Sequence, residues 1–438
     1  MPVLSQTTLN LLRTAVRGRV WLPADTGFDH ARLPWNRAVE QPTCAVVEAA
    51  DAEDIARLLR FASAHGVPVA PQPSGHGATG RTAGGILLRT ARLDSVEIDP
   101  SALTARIGAG VRSGDLQRAA AGHGLTALPG SSPEVTVTGA ALGGGLSWFG
   151  RAFGWIGDSI RAAEIVLADG TVRRVGASGT DVLWALRGGG GEIAVVTSLE
   201  LRLRRVPTVF GGRQLWSVTH ARDVAEVYRS LTEAAPEELT LWLELLHLPG
   251  AEPMIGIDST FLGPEDTARE LMRATDRLPA PQIDTRAVMS VADLGRITAE
   301  PAEPGPGQSR AELLTRLDDD ALDALLSAPI APLMTVQVRH LGGALARPSD
   351  SPHGPLAEPY VVYLFGAPRS PDDVESISIR QAELTASLPV SGRKPISFLN
   401  PSEQLSDALP AASLQRLRRL KLRYDPHGII RGNFRLPG

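Results

Sequence analysis

Three glycine-rich loops in the first half of the chain constrain it most. One runs Pro71-Gln72-Pro73-Ser74-Gly75-His76-Gly77-Ala78-Thr79-Gly80, directly after the apolar run Val67-Pro68-Val69-Ala70. The second carries Gly143, Gly144 and Gly145 beside Trp148, and the third carries Gly188, Gly189, Gly190 and Gly191 just before Val195. Glycine has no Cβ, so such loops let backbone N–H groups approach phosphate oxygens or a flat ring closely, or else make tight turns. With 44 Gly and 34 Pro in 438 residues, the chain favours many short elements over a helical bundle.

Composition excludes several classes. Lys+Arg of 44 against Asp+Glu of 48 gives a net charge of −4, with no electrostatic footprint for nucleic acid or anionic lipid. Cys44 is the single cysteine, so neither a disulfide framework nor a multi-cysteine metal site is expected, and no metal ligand is assigned. No apolar run reaches the length of a membrane span. The first residues lack a basic start followed by a long apolar run, so the expected compartment is the cytoplasm. Neither H-E-x-x-H nor G-x-S-x-G is present, which disfavours a zinc or serine hydrolase.

The first half alternates helix and strand signals. Ala50 to Ala62 has apolar positions three and four apart, acids in its first turn and Gly66 beyond its end, and reads as an amphipathic helix. Ala163 to Arg173 is a hairpin about Asp169-Gly170, and Val195 to Leu203 alternates as a half-buried strand. Beyond Pro207, strands at Leu239 to Leu246, Leu333 to His340 and Tyr360 to Phe365 mix with helices at Asp223 to Ala234 and Pro264 to Leu278. Glu300 to Gln308 and Asp350 to Pro359 read as mobile loops, the first a candidate gate. The last forty residues return to a helix at Ala411 to Tyr424 and a turn at Asp425-Pro426-His427-Gly428.

Gly75, Gly77 and Gly80 fit G-x-G-x-x-G, so a Rossmann nucleotide site must be weighed. That motif should open a helix, and Arg81-Thr82-Ala83-Gly84-Gly85 is a poor helix start. An acid is also expected some twenty residues on, whereas Asp94 and Glu97 come early. A turn without any ligand would look the same in sequence.

Taken together, these segments resemble the FAD-binding proteins of the vanillyl-alcohol oxidase/p-cresol methylhydroxylase (PCMH-type) fold, and most closely the berberine-bridge-enzyme-like oxidoreductases. The similar stretches are Pro71 to Gly80; Gly139 to Trp148 with Ala163 to Gly170; Asp181 to Gly191 with Val195-Val196-Thr197; and Leu420 to Gly428 with Arg431-Gly432-Asn433-Phe434. They lie in order across residues 40–206 and 395–438. The resemblance implies an α+β fold: a two-part FAD-binding domain, residues 1–205 and 395–438, around an inserted substrate domain, residues 206–394, of antiparallel sheet covered by helices. It implies FAD joined through the imidazole of His76 to the flavin 8α-methyl. Ser74, Gly75 and Gly77 would face the pyrophosphate, and Val137, Thr138, Gly139, Gly143 and Gly145 would line the cofactor. Val195 would lie near the flavin edge, with Asn433 contributing from the C-terminal piece.

The sequence also departs from that pattern. Many members tether the flavin a second time through a cysteine before a proline; here Ser132 precedes Pro133, so no second, cysteinyl link is expected. Pro73 has no N–H to offer the phosphate loop. Where some members place a catalytic tyrosine, Ile396-Ser397-Phe398-Leu399-Asn400 offers Phe398, which cannot take a proton. Alternation on the later strands puts Trp242 with Glu244, and Gln337 with Arg339, on one side each, with His340 pointing opposite to Arg339. Glu244, Gln337 and Arg339 are the catalytic candidates, and Glu244 is the first choice for the base, since an apolar pocket raises a carboxyl pKa. The expected function is an FAD-dependent oxidoreductase, an oxidase using O2, that removes hydride from a small-molecule alcohol or C–H substrate in bacterial secondary metabolism. The alternative is a redox-neutral cyclase that keeps FAD as part of its pocket; a flavin-binding protein without turnover is a third.

Overall fold

The computed structural model describes residues 5–176 and 181–437. The chain first builds a four-stranded sheet in the order Arg19–Trp21, Ala45–Glu48, Ile86–Arg89, Val69–Pro71, parallel except at the first pair. The helix Ala52–His65 covers it. Its start is fixed by Asp51, whose carboxylate accepts the Asp54 N–H, and its end by Gly66 in the left-handed region. Ile55, Leu58, Leu59 and Ala62 line its buried face and are fully enclosed.

A five-stranded antiparallel sheet follows, ordered Val96–Asp99, Thr104–Gly108, Val195–Arg202, Ile160–Val166, Val172–Val175. The chain end returns to the first sheet. Val69 N–H donates to Ile429 at 2.7 Å and Arg431 N–H donates to Val69 at 2.8 Å. Asp425, buried, caps that turn by accepting the N–H groups of Ile429 and Ile430 and the Lys421 ammonium.

The third sheet has eight strands, all antiparallel. Its main path is Ile283–Asp284, Val209–Ser217, Met254–Phe261, Leu239–Leu246, Thr335–His340, Tyr360–Gly366, Gln308–Leu314, with Ala287–Met289 also on Val209–Ser217. Leu241, Leu243 and Leu245 point one way, into a core with Val224, Tyr228 and Leu231 of the helix Ala221–Ala234. Period-two alternation then turns Trp242 and Glu244 to the other face. The overall class is α+β, a two-sheet part carrying a large antiparallel sheet backed by helices.

Two loops differ from expectation. Glu300 to Gln308 is tied down: Arg37 N–H donates to Gly305, and the Asn36 amide exchanges hydrogen bonds with Gly307 at 2.8 and 2.9 Å. Asp350 to Pro359 is inserted rather than free, with Ser351, Pro352 and His353 buried. Local Pro/Gly content signals the lack of a regular element and is silent on what the loop packs against.

Arg151 fastens the two-sheet part to the large sheet. Its buried guanidinium donates to the carbonyls of Leu239 (2.9 Å), Ala235 (3.0 Å), Pro236 (3.2 Å) and Leu341, and meets His340 Nε2 at 2.9 Å. Arg151→Met strands these acceptors at about 1 kcal/mol each. The expected result is a loss of about 3 kcal/mol in unfolding free energy, read as a lower denaturant midpoint; a loss below about 1 kcal/mol would show that the seam holds without it.

Candidate functional site

The loop after Val69–Pro71 does not open a helix; it passes through turns to Gly85. The segment before it braces it: Trp35 N–H donates to Ser74 and Asn36 N–H to Gly75. The amides of Ser74, Gly75, His76 and Gly77 have no protein acceptor among the described residues. Consecutive unpaired N–H groups of this kind make an anion cradle. His76 stacks on Trp35, ring centroids 4.3 Å apart and 15° from parallel. Its Nδ1 lies 2.9 Å from Ser74 Oγ, while Nε2 is buried without a partner. Burial, with the Arg112 charge second, pulls the imidazole down to about 4. The ring is therefore neutral at pH 7, and with the proton on Nδ1 donating to Ser74, Nε2 carries a free lone pair. Asn433 spans from the C-terminal piece, its amide donating to Gly77 at 2.7 Å while its carbonyl accepts from Thr79. A cleft of about 500 Å³ opens beside these residues, lined by Thr79, Gly80, Arg81, Gln404 and Asn433 among others.

The other two glycine loops meet at a seam. Gly144 and Gly188 both have φ in the left-handed region, +80° and +104°. A Cβ on either would overlap the imidazole of His353, which stacks on Trp155 at 4.5 Å. Glycine is required there twice, by conformation and by the ring. Neither ring nitrogen of His353 has a partner, and burial pulls it down to about 3, so it is neutral. Thr138 Oγ1, Ser397 Oγ and Trp155 Nε1 are likewise buried and unpaired. Ser397 lies directly over Gly143, and Gly191 has open space where a Cβ would be.

The outward face of the large sheet lies against this seam. Trp148, from the second glycine segment, stacks on Trp242 at 3.6 Å and 12°. Register pairs Trp242 with Arg339 and Glu244 with Gln337. Arg339 lies over three rings, 3.9 Å from Trp242, 5.2 Å from Phe398 and 5.5 Å from Tyr363. Its Nε and Nη2 both donate to Gln337 Oε1, at 2.9 and 2.5 Å. Arg213 is held bidentately by Asp258, 2.6 Å on each arm. Glu244 Oε1 is 3.6 Å from Arg213 Nη2, and neither Glu244 oxygen has a hydrogen bond. Burial, then the charge of Asp258, pushes the Glu244 carboxyl well above the usual carboxylate range.

Glu244, Gln337 and Arg339 thus share one face, and His340 points away from it to Arg151. Ser74, Gly75, His76, Gly77 and Asn433 form one corner. Other cofactor candidates have structural roles that sequence does not separate. The Val195 side chain is enclosed in the first core, and Val137 in the second. Gly139 sits inside the short helix Val137–Leu142, and Gly145 forms a turn against Ile156. Ser132 Oγ accepts its own loop's Glu134 N–H at 3.3 Å. Cys44 is half-buried; its thiol donates to Gly85, and burial pushes it up to about 11. His353, Asp258 and Arg213 are absent from the sequence candidates. Asp258 sits in Met254-Ile255-Gly256-Ile257-Asp258-Ser259-Thr260-Phe261, where an acid in a run of strand formers was the available signal.

The unpaired amides, the free Nε2 and the orphaned polar atoms along the seam fit a long, flat ligand with an anionic middle, as FAD is. The comparisons with known proteins agree. Residues 43–176 match the family described as FAD binding domain. The chain is 33% identical over 227 residues to (R)-6-hydroxynicotine oxidase of Paenarthrobacter nicotinovorans, covering 51% of this chain and 49% of that protein. It is 27% identical over 457 residues to an FAD-dependent monooxygenase of Fusarium proliferatum, covering 93% and 87%. The chain spans about half the length of the first of these relatives. Among solved structures, 6-hydroxy-D-nicotine oxidase from Arthrobacter nicotinovorans superposes with a TM-score of 0.84 at 24% identity, over 96% of this chain and 98% of that one. Physcomitrella patens BBE-like 1 gives 0.85 at 20%, over 98% and 99%. The class these findings define is a chain with an FAD binding domain over residues 43–176. The fold is the one these oxidase and BBE-like structures share.

The buried carboxyl has a consequence for stability. With its folded pKa raised, Glu244 binds more protons in the folded than in the unfolded chain at pH values between the two, so stability falls as pH rises through that window. Relative to Glu244→Gln, the wild-type protein should lose up to about 1.4 kcal/mol per pH unit above the ordinary carboxylate range. Thermal melts of both proteins from pH 4.5 upward measure this; parallel curves would mean that the carboxyl is not perturbed.

Proposed function

We propose that the protein is an FAD-dependent oxidoreductase, an oxidase, with FAD linked through His76. Bound FAD would accept hydride from the substrate at N5 and pass the electrons to O2. The observation that supports this most is the corner where four unpaired amides lie beside a neutral imidazole with its free Nε2. Ser74 orients the ring by accepting a hydrogen bond from Nδ1–H, leaving Nε2 as the linking atom. Ser132 has no thiol, so a single link is proposed.

Glu244 and Arg339 act from the opposite wall. The face they share is closed by Trp148, Trp242 and Phe398, which exclude water and strengthen every charge interaction there. Arg339, with only neutral Gln337 as hydrogen-bond partner, orients an acceptor oxygen on the substrate. Glu244 exchanges the proton as hydride leaves. The name of (R)-6-hydroxynicotine oxidase supports a small molecule with an alcohol, or a C–H next to nitrogen or oxygen, as substrate class. We place the enzyme in bacterial secondary metabolism. Phe398 favours one second reading, a redox-neutral cyclase whose FAD is part of the pocket, since Phe398 offers no group to take a proton.

Acid precipitation of the purified protein tests the link. Yellow colour should stay in the pellet and be lost from it in His76→Ala; colour in the supernatant of the wild type rules the bond out. Under anaerobic conditions the wild type should bleach with a turned-over substrate, and Glu244→Gln should bleach at least tenfold more slowly. Product without bleaching would mean the cyclase.

A further inference from the structure

Two carboxyls and two guanidiniums are buried on the sheet face, and their pairing is lopsided. Asp258 takes both arms of Arg213. Arg339 is held by neutral Gln337 and by rings, and makes no ion pair among the described residues. Glu244 has zero exposure, its nearest cation arm is 3.6 Å away, and its carboxyl lies against that of Asp258. An ionised carboxylate in that setting would be desolvated, beside the Asp258 carboxylate, and left with only a long contact to a guanidinium that Asp258 already holds, which is costlier than a neutral acid.

We propose that Asp258 is a positioning residue that keeps Glu244 in its protonated form by engaging both arms of Arg213, so that Glu244 meets the substrate as a neutral acid. This rests on the oxidoreductase reading for its meaning in turnover, though not for its measurement. The groups facing Glu244 are Arg213 from Val209–Ser217, Asp258 from Met254–Phe261, and Gln337 and Arg339 from Thr335–His340. Glu300, beyond Gly295–Thr298, adds a further negative charge. With Glu244 neutral, the guanidiniums of Arg213 and Arg339 stand against the carboxylates of Asp258 and Glu300, and Arg339 is the cation without a close counterion. That suits a substrate presenting an oxygen that is anionic or becomes so. As a base, Glu244 must first release its own proton.

Asp258→Asn tests the arrangement because it keeps the shape and removes the competing charge. Arg213 is then freed toward Glu244, which should ionise: the negative charge moves from position 258 to Glu244 and one proton goes to solvent. Infrared difference spectra of the full-length protein, wild type minus Glu244→Gln, isolate the C=O stretch of the Glu244 acid. The band should be present in the wild type at pH 7 and absent at the same pH from Asp258→Asn, replaced by carboxylate bands. A wild type without the acid band at pH 7, or an Asp258→Asn protein that keeps it, overturns the proposal. The same preparation reports its flavin by colour. A yellow protein lacking the acid band refutes this inference alone, and a colourless protein with the band refutes the flavin reading alone.

Discussion

The stack of Trp148 on Trp242 is the contact on which the site depends. It joins a loop of the FAD-type part to the middle of the large sheet, with ring centroids 3.6 Å apart. Trp242 then carries Arg339 on its ring at 3.9 Å, and Phe398 of the C-terminal return closes over the same guanidinium. Three separate stretches of chain therefore meet around one cation. A guanidinium is suited to this because it is weakly hydrated and stacks flat on aromatic faces. Rings alone would give an apolar seam, and the cation makes the seam chemically directional.

Burial then sorts the charges. Two acids and two bases on a dry face could in principle form two ion pairs, yet the strand register prevents it. Glu244 stands opposite Gln337, and Trp242 stands opposite both Asp258 and Arg339. Asp258 thus reaches Arg213 bidentately, whereas Glu244 is left beyond hydrogen-bond distance of any cation. Bidentate geometry is the strong form of the arginine–carboxylate contact, so the guanidinium is not shared evenly. One acid is a structural counterion and its neighbour is a titratable group, and the register decides which is which.

Much of this was legible in the sequence. The strand Leu239–Leu246 and the helix Ala411–Tyr424 follow from alternation and from 3.6-residue periodicity, and the sides taken by Glu244, Gln337, Arg339 and His340 follow from the same period-two rule. Met254–Phe261 was not legible, because Gly256 interrupts the run and Asp258, Ser259 and Thr260 are polar yet buried. The helix expected over Pro264 to Leu278 ends as α-helix at Leu271 and continues as a 3-10 turn. Asp258 becomes interpretable only once Arg213, forty-five residues earlier, is seen beside it.

The glycine loops show why composition alone misleads about ligands. Read as sequence, Gly143, Gly144 and Gly145 are equivalent and all suit a flat cofactor. In space they differ. Gly144 and Gly188 make room for the His353 imidazole, Gly145 turns against Ile156, and Gly143 faces Ser397. The flat group packed against the middle glycine belongs to the protein itself, delivered by a loop from the large-sheet part. A Cβ at Gly191 would meet open space, and one at Gly77 would have only the Asn433 amide near it, at 3.7 Å. A glycine whose missing Cβ is filled by a neighbouring side chain is there for packing, and one that faces open space beside unpaired amides is there for a ligand. By that distinction Gly77 and Gly191 are open to a ligand, and Gly144 and Gly188 are not. The Gly144–Gly188 seam instead receives the His353 imidazole, which ties the glycine loops to the large-sheet part.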